Sequence, residues 1–314
     1  MTRKTDDFTF IAAPYTPMDK RGNINLKAVA PYAEHLVESG VSGVFVCGTT
    51  GESPSLLLEE RKKVLEEWIR CAGDRLRILC HIGGNNVKES MELASHAELA
   101  GAHGVAALSP YFFKPDGILE LASYLAEVAA ASPGLPFYFY HMPSMTGVNI
   151  HVHQLLDVVN GKIPNFAGVK YTHSDLMDMQ LCLAHPMGDY EIFHGFDEIL
   201  ICGLSLGVRS AVGSTYNYMA GVYTAMVESF RMSDMETARG LQLYSVKVVQ
   251  LLSKYGGAVR AGKAIMGMIG LECGSCRLPI PPFTKPELEQ FRKDLEGIRF
   301  FSVIEEKPNP LTIH

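Results

Sequence analysis

The stretch FAGVKYTHSD, residues 166–175, joins an apolar run to a polar segment in which a helix can begin. Residues 166–169 are typical of a buried β-strand, and Lys170 follows them directly. Ser174 or Asp175 can then begin a helix, because their side-chain oxygens accept hydrogen bonds from the first backbone N–H groups. Burying the Lys170 ammonium at the end of a core strand costs free energy unless the protein uses the group. The stretch therefore predicts a strand–helix unit and makes Lys170 the first candidate functional residue.

Seven other short apolar runs resemble this strand and alternate with amphipathic segments of helical periodicity. Most are apolar throughout, which is typical of strands buried on both faces of a parallel sheet. The eight runs are residues 8–15, 43–48, 77–83, 104–110, 136–141, 166–171, 190–195 and 208–214. One of the helical segments is residues 55–72, for which Ser55 is the predicted N-terminal cap. Eight strand-then-helix units predict an α/β fold, a (β/α)8 TIM barrel, with a doubly wound sheet as the alternative.

The pattern after the eighth strand is almost entirely helical. Amphipathic segments cover residues 219–231, 234–255, 257–270 and 285–297, which is more than one closing helix needs. We therefore expect a C-terminal helical extension packed on the barrel. The predicted organisation is a barrel core over residues 1–218, C-terminal helices over 219–300 in the same domain unit, and a tail over 301–314.

Composition and charge exclude several classes of protein. The chain has 314 residues, of which 47% are hydrophobic, and its 28 Lys and Arg against 34 Asp and Glu give a formal net charge of -6. Without a basic block, neither nucleic acid nor an anionic membrane is an expected partner. No run approaches the roughly 18 apolar residues of a membrane-spanning helix. The N-terminus, MTRKTDDFTF, has no apolar signal core, so we expect a cytoplasmic protein.

The cysteines and histidines show no metal-site spacing. Seven cysteines are scattered along the chain, which fits a reducing compartment. The pair Cys273 and Cys276 is predicted to lie in a loop between C-terminal helices, with a redox pair or half of a zinc site as the alternatives. His151 and His153 are two residues apart and would face different sides of a helix. The sequence therefore predicts no metal site.

Candidate functional side chains follow the predicted strands, at the barrel end where such enzymes carry their chemistry. Strand two runs into GTTGES, residues 48–53, where Thr49, Thr50 and free backbone N–H groups can cradle an anion, unless this is an ordinary turn. Strand five ends in Tyr140, either a core tyrosine or a proton-transfer group. Lys170 and Thr172 share one face of strand six, because side chains alternate along a strand. A desolvated lysine there can form a Schiff base, and a lysine reaching to the rim is the alternative.

Strands seven and eight add an acidic pair and a second hydroxyl-rich turn. Asp197 and Glu198 follow Gly195 and could either complement a helix dipole or accept hydrogen bonds from a polyhydroxyl substrate. Ser214 lies in GSTYN, residues 213–217. A lysine, a tyrosine, two hydroxyl turns and an acidic pair around one barrel mouth suit a hydroxylated keto acid.

Five motifs occur in the order of a known superfamily. GTTGE (48–52), YHMPSMTG (140–147), GVKYT (168–172), GFDE (195–198) and GSTYN (213–217) resemble the N-acetylneuraminate lyase and dihydrodipicolinate synthase superfamily of Schiff-base barrel enzymes, and the resemblance runs from about residue 8 to 300. The synthase branch carries a carboxylate-binding arginine two positions after the proline of the tyrosine motif, where this chain has Met145. GFDE and GSTYN instead resemble the lyase branch. Another 2-keto acid aldolase or synthase, or a keto-acid-binding barrel without turnover, is the alternative.

The resemblance implies a reversible retro-aldol cleavage of N-acetylneuraminate to N-acetylmannosamine and pyruvate by a class I aldolase. It implies that Lys170 forms the imine, that Tyr140 transfers a proton and that Thr49 and Thr50 bind the carboxylate. It further implies sugar contacts from Thr172, Gly195, Asp197, Glu198 and Ser214. Neither a metal nor an organic cofactor is expected, since the lysine itself supplies the electrophile.

Two further implications concern assembly. The superfamily implies a homotetramer acting on small-molecule substrates. Many members reach a neighbouring subunit's site with a tyrosine two positions after the proline of strand four, but this chain has Phe112 there. A relay through such a tyrosine is therefore not expected.

Overall fold

A closed barrel of eight parallel strands forms the centre of the protein. The computed structural model describes residues 8–305 and pairs the strands in sequence order, with the eighth closing on the first. The strands are β1 (Thr9–Ala12), β2 (Gly43–Val46), β3 (Arg77–His81), β4 (Gly104–Leu108), β5 (Phe137–His141), β6 (Phe166–Tyr171), β7 (Glu191–His194) and β8 (Ser210–Gly213). Each lies within one of the eight predicted runs, so the predicted TIM barrel is confirmed and the doubly wound alternative is wrong.

Helices cover the outside of the barrel. They are α1 (Val29–Glu38), α2 (Leu58–Ala72), α3 (Val87–Ala100), α4 (Ile118–Ala129), α5 (Pro143–Thr146), α6 (Val152–Val159), α7 (Leu176–Leu183), α8 (Leu200–Leu206) and α9 (Tyr216–Arg231). Four more follow: α10 (Met235–Lys254), α11 (Gly257–Met268), α12 (Lys285–Gly297) and α13 (Phe300–Glu305). No helix between residues 8 and 305 is both long and apolar enough to cross a membrane.

The start of α2 differs from the prediction. Ser53–Ser55 forms a short 3-10 turn, and the α-helix begins only at Leu58, so Ser55 does not cap it. The carboxylate of Glu60 instead accepts a hydrogen bond from the Leu57 N–H at 2.9 Å. The loop after β2 is therefore longer than predicted and is anchored by its own hydrogen bonds.

The core has two layers, which side-chain alternation along the strands separates. Inward-facing residues fill the barrel itself: Ile11, Ala13, Phe45, Leu79, Ala106, Leu108, Tyr138, Tyr140, Phe193 and Val212. The alternate, outward-facing residues, such as Val169 and Tyr171 on β6, pack in the larger layer between strands and helices. Lys170 lies between these two and therefore points inward, where a charged group has little water.

The C-terminal helices continue directly from the barrel. The eighth strand leads into α9 at Tyr216, and α10 packs against α9 and α11. Cys273 and Cys276 lie between α11 and α12, outside any helix, as predicted. Helix α13 extends through Glu305, into the predicted tail, and residues 306–314 of that tail lie outside the described residues. The proposed division of the chain at residues 218 and 300 stays a prediction.

Candidate active site

A cavity of ≈ 270 Å³ opens at the carboxyl ends of the strands. The nine residues predicted from the sequence all line it: Thr49, Thr50, Tyr140, Lys170, Thr172, Gly195, Asp197, Glu198 and Ser214. They come from five different strands or the loops that follow them. Convergence of separate strand ends on one cavity is the arrangement in which barrel enzymes carry their active sites.

Lys170 lies inside the barrel with only 4% of its surface exposed. Its Nζ lies 4.0 Å from the ring centroid of Phe45 and 4.0 Å from that of Tyr140, its pairing partner on β5. Burial lowers the pKa of the Lys170 ammonium to about 7, and the negative charge of Asp197 opposes this lowering. A substantial fraction of the amine is therefore neutral, and nucleophilic, near neutral pH.

The hydroxyl of Tyr140 lies beside that of Thr49, with 3.1 Å between the two oxygens. It also donates towards the sulfur of Met142 at 3.1 Å. The ring is fixed by edge-on contacts with Phe45 and His81. Burial raises the pKa of Tyr140 to about 12, so the resting phenol holds its proton. The group is positioned to exchange a proton with a molecule in the cavity.

The loop that carries Thr49 and Thr50 has an unusual backbone. Cys47 and Glu52, at its two ends, both adopt left-handed conformations with φ values of 57° and 58°. Such values strain a residue that has a Cβ, so surrounding contacts must maintain them. The Thr16 hydroxyl donates to the Gly51 carbonyl at 2.7 Å, and His81 Nδ1 donates to the Cys47 carbonyl at 3.0 Å. The loop is thus fixed before any ligand arrives.

The acidic pair lies on the opposite side of the mouth, after β7. Asp197 accepts hydrogen bonds from the Thr215 N–H at 3.0 Å and the Thr215 hydroxyl at 2.6 Å. Burial raises the pKa of both Asp197 and Glu198 above the usual range. Gly213 provides the space, because a Cβ there would collide with the Asp197 carboxylate. This glycine of the GSTYN motif is therefore required by packing against the acid.

Gly195 has the same kind of role on the neighbouring strand end. A Cβ at this position would overlap the hydroxyl of Thr172. Since both residues line the cavity, the glycine keeps this part of the cavity open and leaves the Thr172 side chain in its inward position.

Several lining residues were missed by the sequence analysis. Met142 and Thr215 belong to the recognised motifs but received no role. The wall opposite the strands comes from the C-terminal helices, through Val249, Leu252, Ser253, Ala258 and Val259. Apolar residues of this kind also form ordinary helix cores, so periodicity alone does not assign them to a cavity.

Three residues that drew notice in the sequence lie away from the cavity lining. His141 follows Tyr140 and therefore faces outward, buried against Tyr171 and His173, and burial lowers its pKa to about 4. Met145 is 65% exposed and Phe112 is 75% exposed. None of the three contributes to the described lining of the cavity.

One prediction about the histidines is wrong. His151 precedes α6 in an extended conformation, so its ring lies beside that of His153, with 5.8 Å between centroids. Ligand atoms of His151, His153 and Asp178 lie within 4.8 Å of one another. However, the Asp178 carboxylate already accepts from the Val152 and His153 N–H groups, His153 Nδ1 and the Tyr171 hydroxyl. These four hydrogen bonds occupy its lone pairs, and its role is to cap α6.

Comparisons with known proteins cover almost the whole chain. A family model described as the dihydrodipicolinate synthetase family matches residues 8–298. The N-acetylneuraminate lyase of Mus musculus is 42% identical over 296 residues, which make up 93% of this chain and 92% of that protein. The structure of Proteus mirabilis N-acetylneuraminate lyase matches with a TM-score of 0.90 at 34% identity, covering 93% of this chain and 99% of that one. A Ruminococcus gnavus sialic acid aldolase, described as a catalytic lysine mutant, matches with a TM-score of 0.87 at 31% identity over 94% and 97% of the two chains.

Proposed function

Because the chain belongs to the dihydrodipicolinate synthetase family, we propose that it is a class I aldolase that cleaves N-acetylneuraminate reversibly to N-acetylmannosamine and pyruvate. The observation that carries this proposal is the Lys170 amine, which is buried at the barrel mouth, has a pKa of about 7 and lies against the ring of Tyr140. The description of the Ruminococcus gnavus aldolase also supports a lysine-dependent reaction.

The reaction begins when the neutral amine of Lys170 attacks C2 of the open-chain keto acid. Loss of water gives a protonated imine, which is an electron sink. Thr49 and Thr50 hold the carboxylate next to C2 through hydroxyl and backbone N–H groups. The lysine itself thus supplies the positive charge that the next step requires.

Bond cleavage follows when the proton of the C4 hydroxyl passes to the substrate carboxylate, and the Tyr140 phenol relays it by accepting this proton while donating its own to that carboxylate. The C3–C4 bond breaks, its electrons pass into the imine to form an enamine, and N-acetylmannosamine leaves as the aldehyde. The enamine then takes up a proton at C3, and water hydrolyses the imine to pyruvate and free Lys170. The Thr49 hydroxyl lies 3.1 Å from the Tyr140 phenol, so a proton can pass between the two hydroxyl groups.

The sugar chain is bound on the other side of the mouth. Asp197 and Glu198 accept hydrogen bonds from its hydroxyls, and Ser214, Thr172 and the backbone at Gly195 add contacts. Met145 occupies the position of the synthases' carboxylate-binding arginine, and its apolar, exposed side chain cannot replace that charge. An acid-lined pocket without this arginine favours a polyhydroxyl aldehyde over a charged one.

The test is borohydride reduction of the full-length protein with pyruvate, followed by peptide mass mapping and by assay of pyruvate release from N-acetylneuraminate. We expect a single reduced adduct on the Lys170 peptide and release of pyruvate. No adduct, or an adduct on another lysine, would contradict the proposal. In the reverse direction, pyruvate should condense with N-acetylmannosamine and not with aspartate semialdehyde, which is the substrate of a synthase.

We also propose that the chain works as a homotetramer in the cytoplasm. The superfamily resemblance supports this assembly, and the exposed side chains of Phe112 and Phe113, in the loop between β4 and α4, provide apolar surface for it. Light scattering should give four times the 34.5 kDa of the chain, and cell fractionation tests the location.

A further inference from the structure

A buried ion pair lies directly beneath the carboxylate-binding loop. Glu52, the last residue of GTTGE, contacts Lys263 of α11 with 2.6 Å between Oε1 and Nζ. The two residues are 3% exposed each and lie 211 positions apart in the chain. The carboxylate of Glu52 does not point into the cavity, and neither residue belongs to the cavity lining. The proposed reaction therefore leaves this pair without a role.

The same carboxylate is tied to a second C-terminal segment. Its Oε2 accepts a hydrogen bond from the Arg277 N–H at 2.9 Å, and Lys263 donates to the Ser275 carbonyl at 3.2 Å. The guanidinium of Arg277 then contacts the Ser55 carbonyl and both oxygens of Glu60 at 2.6–2.7 Å. Residues 275–277 thus form a strap that contacts Glu52 at the end of the loop and the residues that follow it.

Glu52 is itself the last residue of the loop, and its own backbone is strained. It has a φ of 58°, and its N–H closes the turn by donating to the Thr49 carbonyl at 3.0 Å. A glutamate holds this conformation only if its surroundings fix it, and its side chain is held by Lys263, the Arg277 N–H and the Cys276 thiol. Movement of Glu52 out of the left-handed region would break the turn that orients the Thr49 and Thr50 N–H groups and hydroxyls.

We propose that Glu52 and Lys263 are positioning residues that hold the Thr49–Thr50 loop in the shape that binds the keto-acid carboxylate. This inference rests on the proposed function, because it assigns the loop to the carboxylate of that substrate. It makes the C-terminal helices part of the substrate-binding machinery, since Lys263 and the strap set the geometry of a loop that follows β2. A purely structural ion pair would stabilise the fold without discriminating between ligands.

The experiment compares two ketones in the full-length protein, one with a carboxylate and one without. Second-order rates of borohydride trapping on Lys170 are measured with pyruvate and with acetone for the wild type, Glu52→Gln, Lys263→Met and the double variant. A loop displaced by an ångström should slow trapping of pyruvate by about tenfold or more and that of acetone by less than about threefold. The double variant buries no unpaired charge, so it provides a folded test even where a single variant unfolds.

Glu60→Gln is the matched control, because it weakens only the outer contact of the Arg277 guanidinium and leaves the Arg277 N–H and Lys263 in place on Glu52. Its pyruvate-to-acetone ratio should stay within about twofold of the wild type, as expected for a partly exposed ion pair. Equal losses for both ketones, or an unchanged ratio in a folded double variant, would overturn the inference. If the wild type formed no Lys170 adduct, the proposed function itself would fail, and the inference would fall with it.

Discussion

The protein buries two lysines almost completely and gives them opposite surroundings. Lys263 is 3% exposed and has the Glu52 carboxylate 2.6 Å away. Lys170 is 4% exposed, but its nearest described partners are the faces of two aromatic rings, Phe45 and Tyr140. Rings attract a cation far less than a carboxylate does, and they do not hydrate it. Burial is therefore compensated at one lysine and largely uncompensated at the other.

The difference shows how the same side chain is given a structural or a chemical task. The ammonium of Lys263 links two segments of the chain through its ion pair with Glu52. The uncompensated amine of Lys170 has a pKa of about 7 and can attack a carbonyl carbon. Changes at the two positions should accordingly affect different properties of the protein.

The largest difference is expected in catalysis. Lys170→Ala removes the only group proposed to bond to the substrate, so cleavage of N-acetylneuraminate should fall by about 10⁴-fold or more. The circular dichroism spectrum should match that of the wild type, because the lost side chain makes no ion pair with any residue between positions 8 and 305. Turnover in a folded Lys170→Ala protein would contradict the chemical task assigned to the Lys170 amine.

A second change separates the ring of Tyr140 from its hydroxyl. Tyr140→Phe keeps the aromatic face against Lys170, so trapping of pyruvate should change by less than about tenfold. The kcat for cleavage should fall by about 10²- to 10⁴-fold, because proton transfer at the C4 hydroxyl loses its partner. Parallel trapping and steady-state assays measure the two effects. Equal losses in both would mean that the phenol serves only to shape the surroundings of Lys170.

Stability should respond in opposite directions at the two lysines. Lys263→Met leaves the buried Glu52 carboxylate without its cation and should lower the free energy of unfolding by about 3–5 kcal/mol. Lys170→Met removes a buried amine whose folded pKa lies below that of the unfolded chain, so it should raise the free energy of unfolding at pH 7 by on the order of 1–3 kcal/mol. Urea titrations without keto acid provide both values.

The pH dependence of the second effect has a definite sign. Below its folded pKa of about 7 the buried Lys170 amine is charged, and its burial lowers the free energy of unfolding by the full amount. This destabilisation decreases as pH rises towards the unfolded pKa of 10.5, because the amine then loses its proton in both states. The stability gained by Lys170→Met should therefore decline over that range. A gain that grew with pH would contradict the uncompensated burial of this lysine.

Much of this arrangement could be predicted from the sequence. Eight apolar runs predicted the barrel, and alternation along β6 predicted that Lys170 and Thr172 share one face of that strand. Such patterns are local, so one segment is enough to recognise each. The same holds for the hydroxyl turns and the acidic pair, because strand ends in a parallel barrel meet at one mouth.

The rest depended on contacts between distant segments. Nothing near Glu52 or Lys263 in the sequence indicates that they pair across 211 positions, and Val249 or Val259 looks like any apolar helix residue. Predictions from the local sequence were also wrong where the chain forms an irregular turn or begins a helix later than expected. Ser55 belongs to a 3-10 turn instead of capping α2, and His151 lies before α6 instead of within it.

The smallest expected effect concerns the charge of Asp197, which acts on Lys170 across the cavity. Asp197 raises the pKa of the Lys170 ammonium against the lowering effect of burial. Asp197→Asn keeps the shape and can still accept from Thr215, but it removes that charge. The pH at which pyruvate trapping reaches half its maximum should then shift downward, by less than about one unit, so that trapping at pH 6 becomes faster.

Pyruvate alone is the right ligand for this measurement, since it lacks the sugar chain that Asp197 is proposed to bind. Glu198→Gln is the matched control: it neutralises the neighbouring acid, whose charge is not among the influences on Lys170, and should leave the half-maximum unshifted. An upward shift in Asp197→Asn would mean that the negative charge does not favour the ammonium. A downward shift of the same size in both variants would assign the effect to the general potential of the mouth. A shift confined to Asp197→Asn would mean that Asp197 weakly stabilises the charge of Lys170, as Glu52 does at close range for Lys263.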